Sequence, residues 1–133
     1  MSASVPVKKD PLLWKACYEG NEELAMNHIK AGSGLEELGG ERKTTPLLEA
    51  VFQLELVLCK VLVQRGAAVR GTDNAGGGIL HMAAQKDNAN VLEWALEEGA
   101  KNGIGINDRN NWGATPLLQS LLSGAIERAG LLV

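Results

Sequence analysis

The stretch Thr45-Pro46-Leu47-Leu48-Glu49-Ala50-Val51 returns three more times in altered form. The other copies are Pro11-Leu12-Leu13-Trp14-Lys15-Ala16-Cys17, Gly78-Ile79-Leu80-His81-Met82-Ala83-Ala84 and Thr115-Pro116-Leu117-Leu118-Gln119-Ser120-Leu121. Successive starts lie 34, 33 and 37 residues apart. A second landmark keeps phase with the first: Ala31-Gly32-Ser33, Arg65-Gly66-Ala67 and Glu98-Gly99-Ala100, each glycine 21 residues after its start. A period of this length marks an array of small units, none of which can bury its apolar face alone.

Each unit reads as helix, turn, helix, loop. Thr45 is placed to cap a first helix, and Pro46 suits the first turn, where no N–H is needed. Small pairs follow (Ala16-Cys17, Ala50-Val51, Ala83-Ala84) and let neighbouring helices approach closely. Gly20-Asn21 breaks the first helix of the first unit. The second helices carry apolar stripes at helical spacing: Leu24, Ala25 and Ile29; Leu58, Cys59, Leu62 and Val63; Val91, Leu92, Ala95 and Leu96. Gly32, Gly66 and Gly99 are expected to end these helices.

Bulk composition agrees with one soluble all-α domain. Of the 133 residues, 45% are hydrophobic and 22% charged, which argues against disorder. A net charge of -3 supplies no basic field for a phosphate backbone, so nucleic acid is not an expected partner. No membrane association is expected either. The most apolar stretch, residues 47–63, is interrupted by Glu49, Gln53, Glu55 and Lys60, and residues 1–6 do not read as a signal peptide. Cys17 and Cys59 lie inside apolar patterns and read as buried free thiols in a reducing, intracellular setting, cytoplasmic or nuclear.

These motifs together resemble the ankyrin repeat, a unit of about 33 residues with a T-P-L-H-x-A signature. The best-matched fragments are Thr115-Pro116-Leu117 behind Gly113, and Leu80-His81-Met82-Ala83-Ala84 ahead of Gly99-Ala100. The resemblance covers residues 10–133 and implies an all-α ankyrin-repeat solenoid behind an N-terminal tail, 1–9. Three full repeats (10–40, 41–73, 74–110) precede an incomplete fourth, 111–133. Several positions depart from the pattern. Gly78-Ile79 replaces Thr-Pro, so the third first-helix is less well capped. The signature's helix-ending Gly becomes Leu54 and Asp87. Four extra residues near 101–104 are expected to project as a hairpin, and the loop 34–40 is rich in glycine. The chain ends on Leu131-Leu132-Val133 where a last repeat needs a polar face. Either the chain continues in a longer protein, or this face packs on another chain, including a second copy. Weak order is expected after about Gly124.

No catalytic or metal constellation emerges, and no cofactor is expected. His81 stands in the signature's His slot, where the resemblance implies that its ring bonds nearby backbone and ties adjacent units. Trp14 takes the same slot in its unit, and His28 beside Ile29 reads as a packed residue. Neither cysteine has zinc-site spacing to a histidine. Gly76-Gly77-Gly78 lacks the Lys-Ser/Thr of a phosphate loop and fits a hairpin instead. Glu22-Glu23, Glu36-Glu37 and Glu97-Glu98 read as solvated faces. The expected role is therefore a protein-binding scaffold, not an enzyme. The alternatives are a regulatory segment docking onto its own larger chain, or a small hydrolase or metal protein, which no residue set supports.

The resemblance places binding in a groove lined by hairpin tips and the outer ends of first helices. Carried over slot by slot, this gives Tyr18 and Glu19; Arg42, Thr44, Phe52, Gln53 and Arg65; Ala75, Gly77, Gln85, Lys86 and Glu98; and Asn111, Trp112 and Leu122. Three of the five aromatics fall here: Tyr18, Phe52 and Trp112. Tyr18 and Phe52 are one repeat apart and are expected side by side. Aromatics and Arg are enriched among residues that carry binding energy. In the competing reading, Phe52 folds back near Leu54 and Trp112 packs on its own hairpin. Trp94 reads as packing between repeats.

Overall fold

In the computed structural model, residues 10–32, 34–86 and 88–122 are described. The expectations for the tail 1–9, for Ser33 and Asp87, and for order, fraying or self-association beyond residue 122 lie outside these residues. Among the described residues the chain is all-helical. The helices are α1 (Leu12–Glu19), α2 (Glu22–Lys30), α3 (Pro46–Phe52), α4 (Leu56–Gln64), α5 (Ile79–Ala84), α6 (Ala89–Lys101) and α7 (Pro116–Leu122). None is long and apolar enough to cross a membrane.

Most of these helices are six to nine residues long, and isolated helices shorter than about 12–15 residues are marginal in water. Packing must hold them. α1 packs on α2, α3 on α4 and α5 on α6, while α1, α3, α5 and α7 touch in succession and α2 meets α4. Between the two rows runs one apolar core that includes Leu13, Leu47, Leu58, Leu62, Leu80 and Leu92. The small pairs are buried, with Ala16, Cys17, Ala50, Val51, Ala83 and Ala84 at most 1% exposed. Leu24 departs from its expected stripe and is 40% exposed. Its counterparts Leu58 and Val91 are covered, and Leu24 belongs to the first unit, which has no preceding helix pair against it.

Caps follow the sequence closely. Thr45 Oγ1 accepts the Leu48 N–H at 3.1 Å, and Pro46 occupies the first turn. Gly78 offers no side chain, and α5 is the shortest helix described. Asn21 and Asn88 cap α2 and α6 by accepting from Leu24 and Val91 N–H, whereas Glu55 at the same place before α4 makes no such bond. Asp10 does not cap α1; its Oδ1 accepts the Gly40 N–H at 3.0 Å.

Two expectations about the third unit need correction. Gly99 does not end its helix, and the four extra residues do not form a projecting hairpin. α6 runs 13 residues through Gly99 to Lys101, against nine in α2 and α4. Gly103, at φ 74°, takes the left-handed place that Gly32 (73°) and Gly66 (96°) hold in the earlier units. The physical reason is periodicity: four residues make about one helical turn, so they lengthen α6 without rotating its apolar face. Glu36, read as part of a solvated face, is exposed but also accepts the Ala68 N–H at 2.8 Å, tying two loops together.

Units are also joined by repeated polar ties. At the hairpin tips Asn74 N–H donates to the Arg42 carbonyl (2.8 Å) and Asn111 N–H to the Ala75 carbonyl (2.7 Å). The side chains of the same two asparagines repeat the pattern, onto the Glu41 and Asn74 carbonyls. In the signature's His slot, His81 Nδ1 faces the Gly78 N–H at 3.4 Å and Nε2 lies 2.8 Å from the Ala114 carbonyl. These partners fix the Nε2–H tautomer, with Nε2 donating across to the next unit. Trp14 makes the equivalent link, its Nε1–H donating to Thr44 Oγ1 at 2.7 Å. Its larger ring needs room, and Gly39-Gly40 supply it: a Cβ on Gly39 would overlap the indole.

Candidate binding groove

The first helices end on one side of the molecule, next to the hairpins that precede them. Two clefts open there. The larger, about 420 Å³, is lined among others by Trp14, Tyr18, Glu19, Arg42, Thr44, Glu49, Phe52 and Gln53. The smaller, about 230 Å³, is lined among others by Arg42, Asp73, Met82, Gln85 and Trp112. Arg42 borders both and so forms the wall between them.

In the larger cleft, aromatic and polar groups are held by neighbours one unit away. The Tyr18 ring stacks on Trp14 with centroids 5.3 Å apart and planes 8° from parallel, leaving Tyr18 53% exposed. Phe52 is half-buried against the core, with the Arg42 guanidinium 4.8 Å and the Lys86 ammonium 4.0 Å from its ring centre. Such cation–π contacts are worth about 0.5–1 kcal/mol at exposed sites. Arg42 is fixed further by Asp73, at 3.2 Å, and lies 3.3 Å from Met82 Sδ. Beneath the rings runs a buried chain of bonds: Trp14 donates to Thr44, Thr44 to Glu49 Oε1 (2.9 Å) and Gln53 to Glu49 Oε2 (2.8 Å). Glu49 is only 6% exposed.

Of the residues expected in the groove, the larger cleft gathers Tyr18, Glu19, Arg42, Thr44, Phe52 and Gln53, and the smaller gathers Ala75, Gly77, Gln85 and Trp112. Trp112 is 83% exposed, so it stands off its hairpin instead of packing on it. Asn111 holds the hairpin tip, Lys86 lies over Phe52, and Leu122 ends α7 at 70% exposure. Arg65 is apart from these: it is the C-cap of α4 and lines neither cleft. Glu98 lies within α6, 3.8 Å from Lys101, and it too lines neither.

The clefts also contain residues that the slot-by-slot assignment missed, chiefly Lys15, Glu49, Met82 and Gln119. A sequence signal for them exists. Each stands three positions before Tyr18, Phe52, Gln85 or Leu122, and residues three apart share a helix face.

Cys17 and Cys59 are free and buried. Burial, with a smaller contribution from the nearby Glu49 and Glu55 carboxylates, pushes the Cys17 thiol up to about 12. Burial raises Cys59 as well. Neither thiol is poised to act as a nucleophile near neutral pH. Among the described residues no cluster of three or more His, Cys, Asp or Glu side chains is arranged to hold a metal ion.

No protein-family model matches the chain. Among known proteins it is similar to Arf-GAP with coiled-coil, ANK repeat and PH domain-containing protein 2. Identity to the Homo sapiens protein is 38% over 72 residues, and to the Rattus norvegicus protein 36% over 72 residues. Each match takes in 53% of this chain and 9% of the relative. A Danio rerio protein provisionally named palmitoyltransferase ZDHHC13 is 28% identical over 107 residues, 80% of this chain and 16% of that protein. The chain is thus similar over about half its length to a protein named for its ANK repeats, and matches a small part of that much longer molecule.

Proposed function

We propose that this chain is an array of ankyrin-type repeats that binds a protein or peptide in the groove between its hairpins and first helices, and that it is not an enzyme. The observation carrying this reading is the row Tyr18, Phe52, Gln85 and Leu122. These are equivalent positions of four units, and the first three line the two clefts that share Arg42. The repeat spacing and the similarity to a protein named for ANK repeats support the same reading. Tyr18 makes its ring contact with Trp14 near the surface, so its removal should cost little stability, and Phe52 is only half-buried. The double variant Tyr18→Ala/Phe52→Ala is expected to weaken a peptide selected on the wild-type chain more than tenfold, with helicity and melting nearly unchanged. Unchanged binding contradicts the groove. Loss of folding assigns the rings to the core.

A second reading is favoured by the size of the relatives, of which this chain matches 9%. Here the array is a segment of a larger polypeptide and its groove takes a stretch of the same polypeptide. Adding such a stretch in cis should then lower the affinity for a free peptide.

A further inference from the structure

We infer that the larger cleft takes a basic side chain, Lys or Arg, from a peptide lying in the groove, with Glu49 as the buried counter-charge and Tyr18 as the aromatic face. The inference rests on the groove reading above and adds the chemistry of the guest. Thr44 Oγ1 receives the Trp14 N–H, so its own proton goes to Glu49, while Gln53 donates to the other carboxylate oxygen. Both oxygens therefore accept, which is the pattern of an ionised carboxylate, and both donors are neutral. Among the described residues the ion pairs are Arg42–Asp73 and Lys101–Glu98, so Glu49 has no cation of its own. A buried carboxylate without a cationic partner is an uncommon arrangement, and it lines an open cleft.

The surroundings favour positive charge. Asp10, Glu19, Glu41 and Glu49 line the cleft against Lys15 and Arg42. Of these two cations, Arg42 is already held by Asp73. The aromatic groups behave consistently: Phe52 draws in two cations of the chain itself, whereas the equivalent Tyr18 leans on Trp14 by one face and is otherwise exposed. A guest ammonium or guanidinium over Tyr18 would complete the same contact one unit along. At about 420 Å³ the cleft is of ordinary size for a site receiving a small group.

The test is a selection of displayed random 12-residue peptides on the full chain, followed by anisotropy titration of the enriched peptides. Enriched peptides should share a Lys or Arg. Replacing it with norleucine should cost at least tenfold in affinity, and raising salt from 50 to 500 mM should weaken binding severalfold. Glu49→Gln should reproduce the norleucine loss, and Tyr18→Ala, at an exposed position, should reproduce part of it should Glu49→Gln disturb folding. Peptides that depend on Tyr18 and Phe52 but carry no basic residue would overturn this inference while leaving the groove intact. Peptides insensitive to both aromatic substitutions would overturn the groove as well, as would a selection that enriches nothing.

Discussion

At two positions the backbone asks for a residue the sequence does not supply. Lys43 has φ 56° where the equivalent places in later units hold Gly76 (79°) and Gly113 (80°), and Leu54 has φ 63° where the first unit holds Gly20 (70°). A left-handed conformation costs a residue with a Cβ roughly 1–2 kcal/mol, part of which glycine's greater freedom in the unfolded chain gives back. Lys43 is exposed, so Lys43→Gly should raise unfolding free energy by about 0.5–1 kcal/mol in urea titration. Leu54 packs partly on the core, and Leu54→Gly should fail to stabilise because the lost apolar contact outweighs the relieved strain. The Leu54 departure was legible in sequence as a missing helix-ending glycine. Lys43 was not, because nothing in the hairpin sequence 39–44 marks which residue turns left-handed.

The cysteines make a second residue-scale prediction. Cys17 is raised from 9.0 to about 12 in the folded chain, and Cys59 is raised too. Once unfolded, both thiols ionise near their ordinary value, so above about pH 9 the unfolded state has lost protons that the native state keeps. Stability therefore falls as pH rises from 9 toward 12, by up to about 1.4 kcal/mol per pH unit for each thiol. Denaturant titrations across that range should show the decline, and Cys17→Ala should make it shallower.

Single helices show where reading by phase misleads. Gly99 matched the landmark spacing of Gly32 and Gly66, yet it lies inside α6, and Gly103 does the work expected of it. The ambiguity was intrinsic: an insertion of one turn leaves two glycines, four residues apart, with equal claim to the helix end. The two placements predict opposite signs for Gly99→Ala. Within α6, a Cβ would lie no nearer than 3.4 Å to Ile104, and alanine is the better helix former by about 1 kcal/mol. Gly99→Ala should therefore raise the melting temperature. A glycine required at positive φ would have given a loss of similar size.

Across the whole molecule, what the sequence revealed was whatever repeats. Caps, small pairs, apolar stripes and the link made by His81 recur at fixed offsets, and the structure places them accordingly. What stayed hidden joins one unit to the next without a local pattern: Arg42 on Asp73, Lys86 over Phe52, and the buried Glu49 that Thr44 and Gln53 serve. Those contacts shape the clefts, which explains why Arg65 and Glu98, assigned by slot alone, lie outside them.

If short helix pairs stack so that their hairpins and first helices form one receiving surface, a bound peptide must leave its mark there. Hydrogen exchange with and without a selected peptide reads this directly. The account predicts added protection at the ends of α1 and α3 and at the hairpin tips around Asn74 and Asn111, with α2, α4 and α6 unchanged. Protection confined to α2, α4 and α6 would contradict it.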